Sequence, residues 1–385
     1  MKKLIIALSL VLVSSCLYAD RSVKGNGKVV KQEYITSSFK GIDAGSIFQL
    51  IVSTDEKCSV RIETDENLMD LVSLNVSNSI LNLRLKENIR SYSAMNVYIS
   101  LPQLEKLKLS GAAKAEFTEK MQTNGKMTID LSGASNIENA DFQANTVSID
   151  LSGASRAEAN VKANKLNLDA SGTSFLRIGA EVDELRIENS GVSKSSINVA
   201  ANGGAELSAS GSSHITGRLV ANNLRAETSG AASLKLSGKW EHQRLSANGA
   251  SNIDLSEAVS YTTDVTASGS SQVAAGHTSI SKFSRNGNSS IKSLPSKTDS
   301  KKSTKISDSS SSEKISSDSI SLKLQQIAAE FAELAKKLGD KAANATVNIN
   351  GKNYLLKDVK ISVVNNSDGS VSLFMNGEEA YRLKK

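Results

Sequence analysis

The sequence predicts an all-β protein whose main body is a parallel β-helix, or solenoid, of about ten rungs. A disordered linker and a small α+β appendage follow it. Three observations carry that expectation. A Ser-Gly or Asn-Gly pair recurs ten times, with glycines at Gly111, Gly133, Gly153, Gly172, Gly191, Gly211, Gly230, Gly249, Gly269 and Gly287, in steps of 18 to 22 residues. Four residues before each glycine the residue is apolar, from Leu107, Ile129 and Ile149 to Val265 and Phe283. Four residues after it only Ser195 departs from an apolar column. Within each unit apolar and polar residues alternate with period two, a strand signal rather than a helical one.

The elements follow in chain order. Lys2, Lys3 and the apolar run "LIIALSLVLV" form a secretory signal, too short to span a bilayer. The run "VSSC" at 13–16 has the order of a bacterial lipobox, which makes Cys16 an acylated N-terminus. A competing cleavage site follows Ala19. The first expected domain is therefore the signal, 1–19. Portion 20–102 is β-rich, with strand-like runs at 47–52, 58–63, 79–85 and 96–101. It is expected to lead into the solenoid and cap its edge.

Repeats fill 103–292. A unit of about 19 residues, read as two or three short strands and their corners, cannot bury an apolar face alone. Stacked units cover one another and make a continuous core. The Ser-Gly pair reads as a tight corner, because glycine takes a positive φ without a Cβ clash, and Ser and Asn hydrogen-bond local backbone. Pro102 and Pro295, the two prolines, flank the repeats, as suits residues that cannot donate into a ladder.

Residues 293–319 are Ser, Lys and Asp with almost nothing apolar, a flexible linker. The appendage, 320–385, opens on an amphipathic stripe: Ile320, Leu324, Ile327, Phe331, Leu334 and Leu338, with Gly339 as its stop. This helix packs on the strands that follow, expected at 346–350, 354–356, 359–364 and 371–376, or serves self-association. "NNSDG" reads as a hairpin turn.

Several quoted runs are similar to a known family. "FKGIDAG" at 39–45, "ILNL" at 80–83, "LPQL" at 101–104 and the entry "LEKLKLSGAAKAEF" resemble, in that order, the head GIN domain of bacterial auto-transporter adhesins. The resemblance runs from about Ser37 to about Lys292. It implies a right-handed parallel β-helix with a β-rich opening portion. It implies no enzyme and no catalytic residues.

Composition narrows the function. The formal charge of +6 falls to +4 once Lys2 and Lys3 are removed. Basic residues look spread along the chain and aromatics are 4%, so a nucleic-acid partner is not expected. After the signal no apolar run can cross a bilayer. If Cys16 is acylated or removed, Cys58 stands alone, so no intramolecular disulfide forms, and no Cys/His cluster has zinc spacing. Of the three histidines, His214 lies in an outward column, and neither it nor His242 or His277 has a nucleophile at motif spacing. No cofactor is expected. Asp130, Asp150, Asp169 and Glu188 share one outward column in four consecutive rungs. They read as a solvated charged face, relieved by cations such as Arg156 and Lys194, and as a weak candidate for calcium.

These readings converge on a non-catalytic exported envelope protein. It is lipid-anchored to a membrane and binds a glycan, cell-wall or protein partner through a solenoid surface, with adhesion as its role. Oligomers through the 320–338 helix are a further expectation. The competing reading is a β-helix enzyme, lyase or hydrolase, acting on acidic polysaccharide.

Overall fold

A computed structural model of the chain describes residues 22–294 and five C-terminal strands. The expected signal with Cys16, most of the linker, Pro295 and the 320–338 helix lie outside the described residues. The chain divides into two compact units, Met1–Lys302 and Ser303–Lys385.

The first unit is a parallel β-solenoid. Strands Arg156–Ala170, Phe175–Asn189, Lys194–Ala209, His214–Thr228 and Ser233–Ala247 stack in parallel, each on the last. The column four before the glycine runs in register as Leu107, Ile129, Ile149, Leu168, Ile187, Leu207, Ala226, Leu245, Val265 and Phe283. All but Phe283 are buried. The expectation of short strands within each unit is corrected. Seven strands run 14 to 16 residues without a break. A second bend is carried inside them, where two consecutive residues point outward, as at Asn164-Lys165, Asn222-Asn223 and Glu241-His242. Alternation resumes on the other side of that bend, and the ladder skips a pair or two there before it continues. Two of the longer units place their extra residue at a bend: Asn139, with φ 54°, and Gly203.

The glycine corner is held by two separate constraints. Each of the ten glycines has φ between 65° and 75°, a region that strains residues with a Cβ. Each also sits on the residue one rung below. A Cβ added to Gly133 would come within 2.7 Å of the Gly111 carbonyl oxygen, and one added to Gly172 within 2.5 Å of that of Gly153. The backbone ladder continues through the corner, with Ala154 N donating to Gly133 O at 2.7 Å and Val192 N to Gly172 O at 2.8 Å. An inward serine follows two residues later. Ser193, Ser213, Ser271 and Ser289 donate to carbonyls at 3.0–3.2 Å. Ser135, Ser155 and Ser174 are buried without a partner. There the equivalent carbonyls, of Leu109, Leu131 and Leu151, already accept from Ser132, Ser152 and Ser171.

The core changes character along the stack. Phe117 and Phe142 meet edge to face at 5.2 Å near its start. Ser195, the one polar residue in its column, donates to Asn189 Oδ1 at 2.9 Å, and Asn189 reaches the His214 carbonyl. Higher up, buried Trp240 donates to Gln243, which donates to Thr263 and the Ala275 carbonyl. Every one of these buried polar groups is thereby matched, as burial requires.

The first rung lies earlier than the first Ser-Gly pair. Gly41–Ala44 and Gln49–Thr54 pair in parallel with Lys106–Leu109 and Lys114–Phe117, and Ser46, with φ 67°, occupies the corner beneath Gly111. Below them lie Ile80–Leu85 and Met95–Leu101, also parallel. Antiparallel strands Val72–Ser77, Ser59–Asp65 and Val29–Tyr34 complete this end. A two-residue turn, Asn78-Ser79, both with positive φ, joins the Val72–Ser77 hairpin. Asp65, fully buried, accepts from Gly27 N at 2.7 Å and Ser93 N at 2.6 Å and so fastens the start of the chain. Those backbone donors, Ser93 first, hold its carboxyl below the ordinary range.

The opposite end has no such cover among the described residues. Strand Gln272–Arg285 pairs upward only through Gln272 to His277, so 279–285 are exposed. Phe283, in the inward column, is therefore 60% exposed.

In the second unit, Thr346–Ile349 pairs antiparallel with Lys352–Leu355, and Ile361–Asn365, Val371–Met375 and Glu378–Leu383 form an antiparallel sheet. The pairing of Asn365 with Val371 is the one that a turn at "NNSDG" requires; the turn itself lies outside the described residues.

Candidate functional site

Outward columns are where this fold can act, because the inward ones are consumed by packing. Two strips of outward columns lie on either side of the glycine corner. They differ in charge.

The strip before the glycine consists of columns seven, five and three residues ahead of it. From the Gly153 rung to the Gly230 rung it carries three cations, Lys165, Arg186 and Arg225, against six acids. Every one of these cations is paired. Lys165 meets Glu184 at 2.7 Å, Arg186 bonds Glu188 and meets Glu206 at 3.1 Å, and Arg225 meets Glu227 at 2.6 Å. A shallow groove of about 930 Å³ runs along this strip and on past it to Arg244 and Lys282. Within it His242 Nδ1 and Thr262 Oγ1 lie 2.6 Å apart. Both stand in one column on successive rungs. Among the described residues no carboxylate bonds the other ring nitrogen, so this is a rung-to-rung contact. His214 lies between Lys194 and Ser233 in an outward column, and His277 between Val259 and Leu294.

Asp130, Asp150, Asp169 and Glu188 stack in register, as read from the sequence. The relief does not come from the expected cations. Arg156 pairs with Glu158 instead, and Lys194 makes no ion pair among the described residues. Only Glu188 has a cation, Arg186. Asp150 in the middle is left to its neighbours. Burial first, then the hydrogen bond and charge of Asp169 and the charge of Asp130, push its pKa up to about 6. Among the described residues no group of three or more His, Cys, Asp or Glu is placed to hold a metal ion, this column included.

The strip after the glycine consists of columns three, five, seven and nine residues beyond it. Across the same five rungs it carries seven cations, Arg156, Lys162, Arg177, Lys194, Arg218, Lys235 and Lys239, against Glu158 and Glu181. This corrects the reading that basic residues are spread without a face. In the sequence they are scattered over five units; stacking brings them together. Three of the seven are paired, with Glu158, Glu181 and Asp254. Arg177, Lys194, Arg218 and Lys239 have no ion pair among the described residues. Two grooves of about 400 and 510 Å³ adjoin along the column Asn160, Gly179, Asn198. Phe175, half-buried, has the Arg156 guanidinium 4.3 Å above its ring.

Residues 38–202 and 186–295 match the family described as "Putative auto-transporter adhesin, head GIN domain". Among solved structures the chain is similar to a "putative adhesin" of Parabacteroides distasonis, at 16% identity over 71% of this chain and 100% of that one, TM-score 0.48. It is also similar to a "putative lipid binding protein" of the same organism, at 16% identity over 71% and 100%, TM-score 0.41. A third is a "putative adhesin" of Bacteroides fragilis, at 17% identity over 71% and 100%, TM-score 0.34. No curated protein matches.

Proposed function

The chain belongs to the head GIN domain family of auto-transporter adhesins, and we propose that it is an exported, non-catalytic envelope protein that binds through the outward columns of its solenoid. One observation carries the reading. The same rungs that fix the core present two long strips of side chains in strict register, unlike in charge, with no convergent acid, base and nucleophile in either among the described residues. Such a surface acts by many contacts along an extended partner, in the manner of other stacked-repeat proteins. Adhesion to a glycan, a cell-wall polymer or a protein is the role that fits both the surface and the family. Export through the signal at 1–19 and acylation of Cys16 complete the proposal. Acyl chains hold a protein to a bilayer at about 0.8 kcal/mol per buried methylene.

The test is retention of the full chain on immobilised glycans, peptidoglycan and matrix proteins, with the heat-denatured chain as the unfolded control. Saturable retention of the parent alone is expected. Release of shorter fragments from an acidic polysaccharide, stopped by a chelator, would instead make the protein the β-helix enzyme. Mass spectrometry of the mature N-terminus tests the anchor: diacylglyceryl on Cys16 is expected, and a free N-terminus at Asp20 rules it out.

A further inference from the structure

We propose that the basic strip binds an acidic polysaccharide, a linear polymer with a carboxylate on each sugar. The inference rests on the binding reading above and assigns its face and its ligand class.

Spacing and pairing carry the argument. The four cations without an ion pair, Arg177, Lys194, Arg218 and Lys239, fall one in each of four consecutive rungs, those of Gly172, Gly191, Gly211 and Gly230. Successive rungs are about 4.8 Å apart along the axis. The four stand five, three, seven and nine residues beyond their glycines, so they are staggered across the strip and offer one unpaired cation on each rung to a polyanion that crosses the columns. All four side chains are exposed; Arg177 also lies 5.9 Å from the centroid of the Phe175 ring. On the strip before the glycine each cation of these rungs already has a carboxylate, and the same polymer would have to displace it.

The grooves supply what a sugar needs beyond charge. Gly179 has no side chain, and Asn160 and Asn198 stand one rung below and one above it. Neither amide has a hydrogen-bond partner among the described residues. Each offers two donors and an acceptor, which suits hydroxyls flanking a carboxylate. Asn160 Oδ1 leans to within 2.7 Å of where a Gly179 Cβ would be, so any larger residue there would displace the amide from the groove.

Two other polyanions fit less well. A single-stranded nucleic acid wants open aromatic platforms, and the strip's one aromatic, Phe175, already lies under Arg156. An anionic membrane surface wants protruding apolar residues beside the cations; on these columns only Val220, 41% exposed, answers that description.

The experiment is binding of the full chain to polygalacturonate oligomers at low and high salt, measured by calorimetry. Dextran of matched length is the neutral arm, and phosphatidylglycerol vesicles and oligo-dT are the other polyanion arms. The expected result is salt-sensitive binding to polygalacturonate alone, weakened about tenfold or more by Arg177→Glu with Arg218→Glu, as for removal of close charge pairs. A matched Lys57→Glu with Lys126→Glu chain, which changes net charge equally elsewhere, should bind as the parent does. Asn160→Ala with Asn198→Ala should weaken binding without changing its salt dependence. Equal loss in both charge variants, equal binding to dextran, or binding only to vesicles or oligo-dT would overturn the inference. If polygalacturonate is not bound while the parent is still retained on a neutral glycan or protein surface, this inference fails and the proposed function stands.

Discussion

The corner column and the outward columns are written by the same rungs, yet they follow different rules. At the corner each glycine rests on the residue below, and any added side chain meets that backbone at once. On the outward strips one rung carries Arg and the next Glu or Gly, and the coil is indifferent. Structure is held where the residues repeat. Recognition is free to develop where they do not.

Substitutions can break or sharpen that contrast. The largest effect is expected at the corner. Gly153→Val puts a β-branched residue at φ 68° and drives its Cβ toward the Gly133 carbonyl. A loss of about 3 kcal/mol or more follows from backbone strain plus overpacking. Lys162→Val, outward on the following strand, should stay within about 0.5 kcal/mol. Chemical denaturation compares the two; equal midpoints would end the distinction.

The acidic column comes next. Asp150 has a native pKa of about 6 against an ordinary 3.8, so the folded state binds more protons between those values. Its favourable contribution is complete below the lower value and lost as pH rises through the upper one. Asp150→Asn should therefore raise the melting temperature by several degrees at pH 7 and by much less at pH 4. A pH-independent gain would mean that neither burial nor the charges of Asp169 and Asp130 raise its carboxyl.

A smaller contrast lies inside the corner itself. Ser271→Ala removes a buried donor bonded to the Ala247 carbonyl and should cost about 1 kcal/mol. Ser155→Ala removes a hydroxyl that has no partner and should be neutral or stabilising. Melting curves of the pair read the difference directly. The smallest effect belongs to Ser46, which holds the corner φ with a side chain at the foot of the stack. Ser46→Gly should gain up to about 1 kcal/mol from relieved strain, unless the added freedom of the unfolded chain offsets it.

Much of this architecture was legible in the letters. The solenoid, its register and the glycine corner could be read because one conformation is required ten times and only one residue type meets it well. The extra rung at Ser46 escaped because its corner reads Ala-Gly-Ser, with Gly45 one place too early and a serine at positive φ. The second bend left no mark, since two outward residues of any polar kind suffice, as at Asn164-Lys165. The acidic column was visible since its members are one unit apart and alike. Its relief was misjudged, because Arg156 had a nearer carboxylate in Glu158, two residues along the same strand. The basic strip was missed for the opposite reason: Arg177, Lys194, Arg218 and Lys239 stand in four different columns. Reading every outward column together, rather than each alone, would have found it.

The stacked corner has a consequence for how long such a protein can be. Each corner glycine recognises only the residue immediately beneath it, so the corner itself does not record its place in the count. Copying one unit whole, such as the stretch between Gly153 and Gly172, would add a storey without disturbing any other contact. The near-identical "IDLSGASNIE" and "IDLSGASRAE" are what such a duplication leaves behind. The length of the solenoid could then be tuned by gene length alone, with the ends kept as they are.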